Sequence, residues 1–227
     1  MAELILALDL PSGREALALL DRLLAVRWVK VGSILMTREG PPLVRELVAR
    51  GYEVFLDLKW HDIPNTVREA VSAGRELGVR MATVHAFGGM EMMAAAAEAA
   101  GPDLGVVAVT VLTSHTPAAY GMVVGRETTD LVAEAVRHSR SAASAGLRGI
   151  VCSPGEAAAI RAAVGPAAWI VVPGIRRPGD AANDQSRAAT PRQAVAAGAT
   201  HLVVGRPVLR AADPAAAWAD LLHEARG

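Results

Sequence analysis

The chain has 227 residues, 52% of them hydrophobic, and its 23 basic and 23 acidic side chains cancel. That length and apolar content supply a sizeable core, while a net charge of zero excludes the basic footprint of a protein that grips a nucleic-acid backbone. No apolar run is long enough to span a bilayer, and the start MAELILALDL has no basic segment and is interrupted by Asp9, unlike a signal peptide, so a cytoplasmic protein with no membrane partner is expected.

Short β-rich runs alternate with longer Ala/Leu/Glu/Arg segments from end to end, the pattern of repeated βα units around a parallel sheet. The first run is LILALDL, Leu4 to Leu10, followed by the turn DLPSGRE and the helical segment EALALLDRLLAV. WVKVG (Trp28 to Gly32), VFLDLK (Val54 to Lys59) and MATVHA (Met81 to Ala86) come next. GVVAVTVL (Gly105 to Leu112) is the fifth, and the segment after it, TDLVAEAVRHSRSAAS, has helical periodicity and is expected to open at Thr128 or Thr129 as N-cap. GIVCS (Gly149 to Ser153) holds the one cysteine, Cys152, which reads as core filler and argues for a reducing compartment. WIVVPG (Trp169 to Gly174) and HLVVG (His201 to Gly205) complete eight. Eight such units predict an α/β fold, a (β/α)₈ TIM barrel forming a single domain over residues 1–227. The rival, a doubly wound open sheet, announces itself by G-x-G-x-x-G after the first strand, which DLPSGRE lacks.

In a barrel, one face of each strand points inward and the functional mouth lies at the C-terminal strand ends. On that parity the first strand contributes Ile5, Ala7 and then Asp9, and the second contributes Trp28 and then Lys30. The third gives Phe55, Asp57 and Lys59, with Asp62 just beyond; the fourth gives Met81, Thr83 and His85. Apolar residues come first and polar ones last, as in a dry floor beneath a reactive pocket. Only two of the 23 basic residues are lysines, Lys30 and Lys59, and both fall in this gradient. Where a bare surface charge suffices the chain uses arginine; in these two strands it keeps an amine, which can deliver a proton. A structural ion-pair network closing the barrel is the competing explanation.

After the seventh strand, residues 175–189 form a Pro/Gly/Asp/Asn-rich loop longer than a connection requires, as lids at barrel mouths often are. Arg176 at its start, Gln185 within it, and Gly205 and Arg206 at the end of the eighth strand stand at the corner where barrels bind phosphate. Arg177, Arg187 and Arg192 read instead as solvated surface.

Together these residues resemble the orotidine 5′-phosphate decarboxylase family over nearly the whole chain: ALDL, VKVG, FLDLKWHDIPNTV, VTVLTS, PGIR, the DQ-containing loop and VVGRP. The spacing D-x-K-x-x-D by itself is shared with related sugar-phosphate decarboxylases; its extension into DIPNT is what narrows the resemblance. The resemblance implies conversion of orotidine 5′-phosphate to UMP with neither metal nor organic cofactor. It implies that Asp9 binds the ribose, that Lys30, Asp57, Lys59 and Asp62 form an alternating charged array, and that Lys59 is the proton donor. Asp62, Ile63 and Thr66 would reach into a neighbouring subunit's pocket in a homodimer with shared sites. Thr113 and Ser114 would lie near the pyrimidine, and Arg176, Gln185, Gly205 and Arg206 would hold the phosphate. Phe87, in VHAFGG, stands where the family usually has a small residue.

Two other readings stay open. One is a metal-dependent phosphate-binding barrel enzyme, such as a 3-keto-gulonate 6-phosphate decarboxylase or a ribulose-phosphate epimerase, although His61, His85, His115 and His201 form no spaced ligand set with carboxylates. The other is a catalytically silent nucleotide-binding barrel, which would have little reason to keep every charge at the mouth.

Overall fold

The computed structural model describes residues 2–127, 130–177 and 188–226. All eight expected strands are present: β1 (Glu3–Ala7), β2 (Trp28–Gly32), β3 (Glu53–Trp60), β4 (Met81–His85), β5 (Gly105–Val109), β6 (Gly149–Val151), β7 (Trp169–Val172) and β8 (His201–Val204). They pair in parallel in chain order, and β8 returns to β1 through Glu3↔His201 and Leu6↔Val204, which closes the barrel. The helices between them are α1 (Gly13–Leu20), α2 (Ser33–Glu39), α3 (Pro41–Ala49), α4 (Pro64–Glu76), α5 (Gly89–Ala100) and α6 (Pro117–Val124). They continue with α7 (Leu131–Ser144), α8 (Ala157–Val164), α9 (Pro191–Ala196), α10 (Arg206–Leu209) and α11 (Pro214–Arg226). Among the described residues no helix is long and apolar enough to cross a membrane.

Boundaries differ from the sequence expectation where local hydrogen bonding takes over. β1 ends at Ala7 rather than Leu10: the Leu8 N–H still donates to the Lys30 carbonyl, but Pro11 follows and Ser12 Oγ already accepts the Glu15 N–H to start α1. Asp9 therefore leaves the sheet and hangs over the mouth. The N-cap of α7 is Asp130, whose carboxylate accepts the Ala133 N–H at 3.0 Å, in place of Thr128 or Thr129, which lie outside the described residues.

Inside the barrel the parity argument holds. Ile5, Trp28, Phe55, Met81, Val107 and Val171 form a separate inner cluster, each side chain buried and stabilising the fold by about 1.5–3 kcal/mol for a fully buried large apolar group. The floor is completed by three rings: His201 packs 5.4 Å from Trp28 and 4.9 Å from Trp169. Trp169 fits only because its neighbours lack side chains. A Cβ on Gly105 would sit 2.1 Å from the Trp169 ring, and one on Gly149 would sit 2.2 Å from its carbonyl oxygen. The bulk of the floor leaves the opposite end of the barrel open.

Candidate active site

Above the floor the inward positions turn polar and form one chain of alternating charges. Lys30 Nζ lies 3.0 Å from Asp9 Oδ1 and 3.6 Å from Asp57 Oδ2, and Lys59 Nζ donates to Asp57 Oδ1 at 2.9 Å. β2 and β3 thus contribute Lys30, Asp57 and Lys59, and the segment after β1 contributes Asp9, to the lining of a cavity of about 620 Å³. Burial pushes the Asp57 carboxyl up, but the charges of Lys30 and Lys59, with hydrogen bonds from Lys59 and Thr83, outweigh it and hold it below the ordinary carboxylate range. The buried centre of the array is therefore an anion flanked by two ammonium groups. Room for this comes from Gly32: a Cβ there would stand 3.0 Å from Lys30 Nζ.

β3 does not run regularly through this region. It pairs with β4 through Leu56↔Ala82 and next through Trp60↔Val84, so a bulge lies between them, and Lys59 adopts φ +53°. A non-glycine residue in the left-handed region costs roughly 1–2 kcal/mol, and such strain concentrates at functional sites. The bulge interrupts the simple alternation assumed from the sequence. Its open backbone is met by a side chain: the Lys59 N–H donates to Thr83 Oγ1 at 2.8 Å, and the Thr83 hydroxyl donates to Asp57 Oδ1 at 3.1 Å.

Arg176, Gly205 and Arg206, together with Thr113, line the same cavity. The loop after β7 is pinched at its base by the bridge Ile175↔Ala189, with the Arg176 N–H donating to the Ala189 carbonyl at 3.0 Å. Arg176 Nη1 donates to the Ile175 carbonyl at 2.9 Å, which fixes the otherwise buried side chain beside the cavity. Gln185 falls in the segment outside the described residues. Ser114 is exposed and is not part of the cavity lining. Among the lining residues that sequence reasoning did not single out are Leu10 and Arg210; Arg210 stands one helical turn beyond Arg206, a spacing visible in RPVLR.

Asp62, Ile63 and Thr66 are exposed and stand outside this chain's own cavity. Asp62 Oδ1 accepts the N–H of Ile63 at 2.7 Å, and Ile63 precedes Pro64 at the start of α4. Beside them is a row of rings: His61 and His85 stack at 5.7 Å, and His85 and Phe87 at 5.4 Å. Burial, then the neighbouring His61 and His138, lowers His85 to about 4, so this imidazole is neutral near pH 7. Ile63 is 66% exposed, and Met122 on α6 is 80% exposed. Among the described residues no three His, Cys, Asp or Glu side chains come together as a metal ligand set.

Comparison with known proteins agrees with this geometry. A family model described as "Orotidine 5'-phosphate decarboxylase / HUMPS family" matches residues 2–221. The orotidine 5′-phosphate decarboxylase of Opitutus terrae is 47% identical over 226 residues, covering 98% of this chain and 97% of that protein. The one from Halorhodospira halophila is 51% identical over 229 residues, covering 97% and 94%. The crystal structure of the orotidine 5′-phosphate decarboxylase from Lactobacillus acidophilus superposes with a TM-score of 0.89 at 33% identity, over 100% of both chains.

Proposed function

The chain belongs to the orotidine 5′-phosphate decarboxylase / HUMPS family, and from that premise we propose that the charged array at its barrel mouth performs the family's decarboxylation chemistry. The protein is a carboxy-lyase that converts orotidine 5′-phosphate to UMP in pyrimidine biosynthesis. The observation that carries the residue-level reading is the continuous chain Asp9–Lys30–Asp57–Lys59, ending in an ammonium that faces the cavity.

Breaking the bond between C6 of the pyrimidine and its carboxylate releases CO₂ and leaves the electron pair on C6, where the ring offers no conventional sink. Lys59 Nζ, held beside C6, stabilises that charge as it develops and then gives C6 its proton; solvent reprotonates the resulting amine to the ammonium. Asp57 lies next to the departing carboxylate, and their repulsion disappears as neutral CO₂ forms. In this reading Asp9 and Lys30 orient the ribose, Thr113 faces the base, and Arg176, Gly205 and Arg206 take the phosphate. Arginine forks suit that role, and binding energy gathered at the phosphate organises the reacting end. No metal or organic cofactor enters any step.

The exposed placement of Asp62, Ile63 and Thr66 outside this chain's own cavity supports a homodimer in which Lys59 lies between its own Asp57 and Asp62 of the partner subunit. A cytoplasmic location is consistent with a single cysteine that is buried. The test is decarboxylation of orotidine 5′-phosphate, followed spectrophotometrically with a chelator present. Lys59→Ala is expected to lower kcat on the order of 10⁴-fold or more while UMP still binds; near-normal turnover would overturn the assignment of the proton donor. Mixing Lys59→Ala with Asp62→Ala chains restores partial activity if sites are shared, since a mixed dimer keeps one complete pocket. No recovery despite proven subunit exchange would place each site within one chain.

A further inference from the structure

We propose that Thr83 is a positioning residue for the proton donor, holding both the backbone and the counter-ion of Lys59 through a single hydroxyl. This rests on the reading of Lys59 as the group that protonates C6. Three observations converge on it. Thr83 is fully buried on β4, between Met81 on the barrel floor and His85 at the rim, so its hydroxyl needs partners within the protein. Both partners belong to the catalytic strand: Oγ1 accepts the Lys59 N–H at 2.8 Å and donates to Asp57 Oδ1 at 3.1 Å. The bulge between Leu56 and Trp60 interrupts the β3–β4 register where Lys59 stands, and Lys59 is held there at φ +53°.

Proton bookkeeping makes the arrangement directional. An ionised carboxylate only accepts and a backbone N–H only donates, so a group between them must do one of each. A hydroxyl does this; a methyl does neither. The same Asp57 Oδ1 receives Lys59 Nζ at 2.9 Å, so Thr83 and Lys59 converge on one oxygen and the hydroxyl sets where that oxygen points. Without it, Asp57 can turn toward Lys30, whose Nζ already lies 3.6 Å from the other oxygen, and the strained Lys59 backbone loses the bond that stands in for its missing ladder partner. The ammonium then spends less time at the height of C6. The phosphate contacts assigned to Arg176, Gly205 and Arg206 involve neither partner of the Thr83 hydroxyl and stay intact.

The test compares Thr83→Val, nearly the same shape without the hydroxyl, with Thr83→Ser, which keeps it. The Val variant is expected to lose about 10- to 100-fold in kcat, the equivalent of one hydrogen bond to a charged group, with KM and UMP affinity within about threefold of the parent. The Ser variant is expected to recover most of the loss. Site concentration is counted by UMP titration, so that misfolded chains do not register as slow ones. Should Val not fold, Thr83→Cys carries the same reading, because a thiol is a much weaker donor and acceptor. An unchanged kcat in the Val or Cys variant overturns the proposal, as does an equal loss in Ser and Val or a loss confined to KM. Lys59→Ala assayed in parallel separates the two layers: activity in that variant removes the proton donor itself, whereas its inactivity beside a fully active Thr83→Val removes only the role of Thr83.

Discussion

Two clusters in this protein are built from the same ingredients and do opposite things. At the mouth, Asp9, Lys30, Asp57 and Lys59 alternate in a line that ends in the cavity, with the Lys59 side chain 41% exposed. On α7, Glu134 takes hydrogen bonds from Arg126, from Arg137 at 2.9 Å and from the Tyr120 hydroxyl at 3.1 Å, while that hydroxyl also meets His138 Nε2 at 2.9 Å. Burial raises the Glu134 carboxyl, but its two arginines and Tyr120 outweigh that and pull it down to about 2; burial, with Glu134 beside it, pushes Tyr120 up to about 12. Around α7 the charged and polar groups are turned on one another, tying α6 to α7. The mouth array leaves an ammonium pointing at empty space large enough for a nucleotide. Perturbed charge is thus common to both, and only the void distinguishes a site from a staple.

Replacing the central carboxylate of each cluster tests that contrast most severely. Asp57→Asn is expected to lower kcat on the order of 10³-fold or more, since on the proposed mechanism it removes the group that orients Lys59 and repels the departing carboxylate. Its melting temperature should move by only a few degrees, because Lys30 keeps Asp9 and Lys59 reaches solvent. Glu134→Gln should do the reverse. Leaving Arg126, Arg137 and Tyr120 without their carboxylate is expected to cost about 1–3 kcal/mol in urea unfolding, less than the roughly 3–5 kcal/mol of a fully buried broken pair because both arginines are half exposed. The kcat per folded site should stay at the parent value, as Glu134 does not line the cavity. A Glu134→Gln enzyme that is stable but slow, or an Asp57→Asn enzyme that is strongly destabilised yet keeps the parent kcat per folded site, would erase the distinction.

What could be read from the chain follows the same division. Period-two alternation survives wherever the backbone is regular, which is why Ile5, Trp28, Phe55 and Met81 were placed on the floor and Asp9, Lys30 and Asp57 above it. Lys59 reached the right wall for a reason alternation does not contain: the bulge and the left-handed turn at its own backbone are set by tertiary pairing with β4. Thr83 was recognised as inward-facing, but its two-sided hydrogen bonding depends on that bulge and so had no linear signature. The α7 cluster was hidden because Glu134 and Arg137 look like the solvated face of an amphipathic helix until Tyr120 and His138 are packed against them. Phe87, noted only as a departure from a small residue, proves to connect the His61–His85 stack to His138 at 4.9 Å.

Acid supplies the gentlest probe of the contrast, because it acts on buried histidines before it reaches Asp57, whose carboxyl is held below its ordinary range. His85, His138 and His201 are each lowered to about 4, in every case chiefly by burial, and are neutral in the folded protein near pH 7. Once unfolded, the same imidazoles take up protons around 6.5. Between about 6.5 and 4 the unfolded chain therefore binds more protons than the folded one, and stability must fall as pH drops through that window, by at most about 1.4 kcal/mol per pH unit for each histidine. Glu134 adds a second window below it: its contribution is complete above 4.5 and is lost as pH falls toward 2. Measured against pH, the melting temperature should thus begin to decline near 6.5, above the window in which Glu134 loses its contribution. His201→Leu singles out the barrel floor, where the ring lies against Trp28 and Trp169 and its Nδ1 pairs with Thr200 Oγ1 at 2.8 Å. That variant should change the neutral-pH melting temperature by a few degrees and flatten the slope between 6.5 and 4.5, since leucine has no proton to gain. An unaltered slope would mean that the floor histidine is not held neutral by its burial, and that the acid response originates around α7 or at the mouth instead.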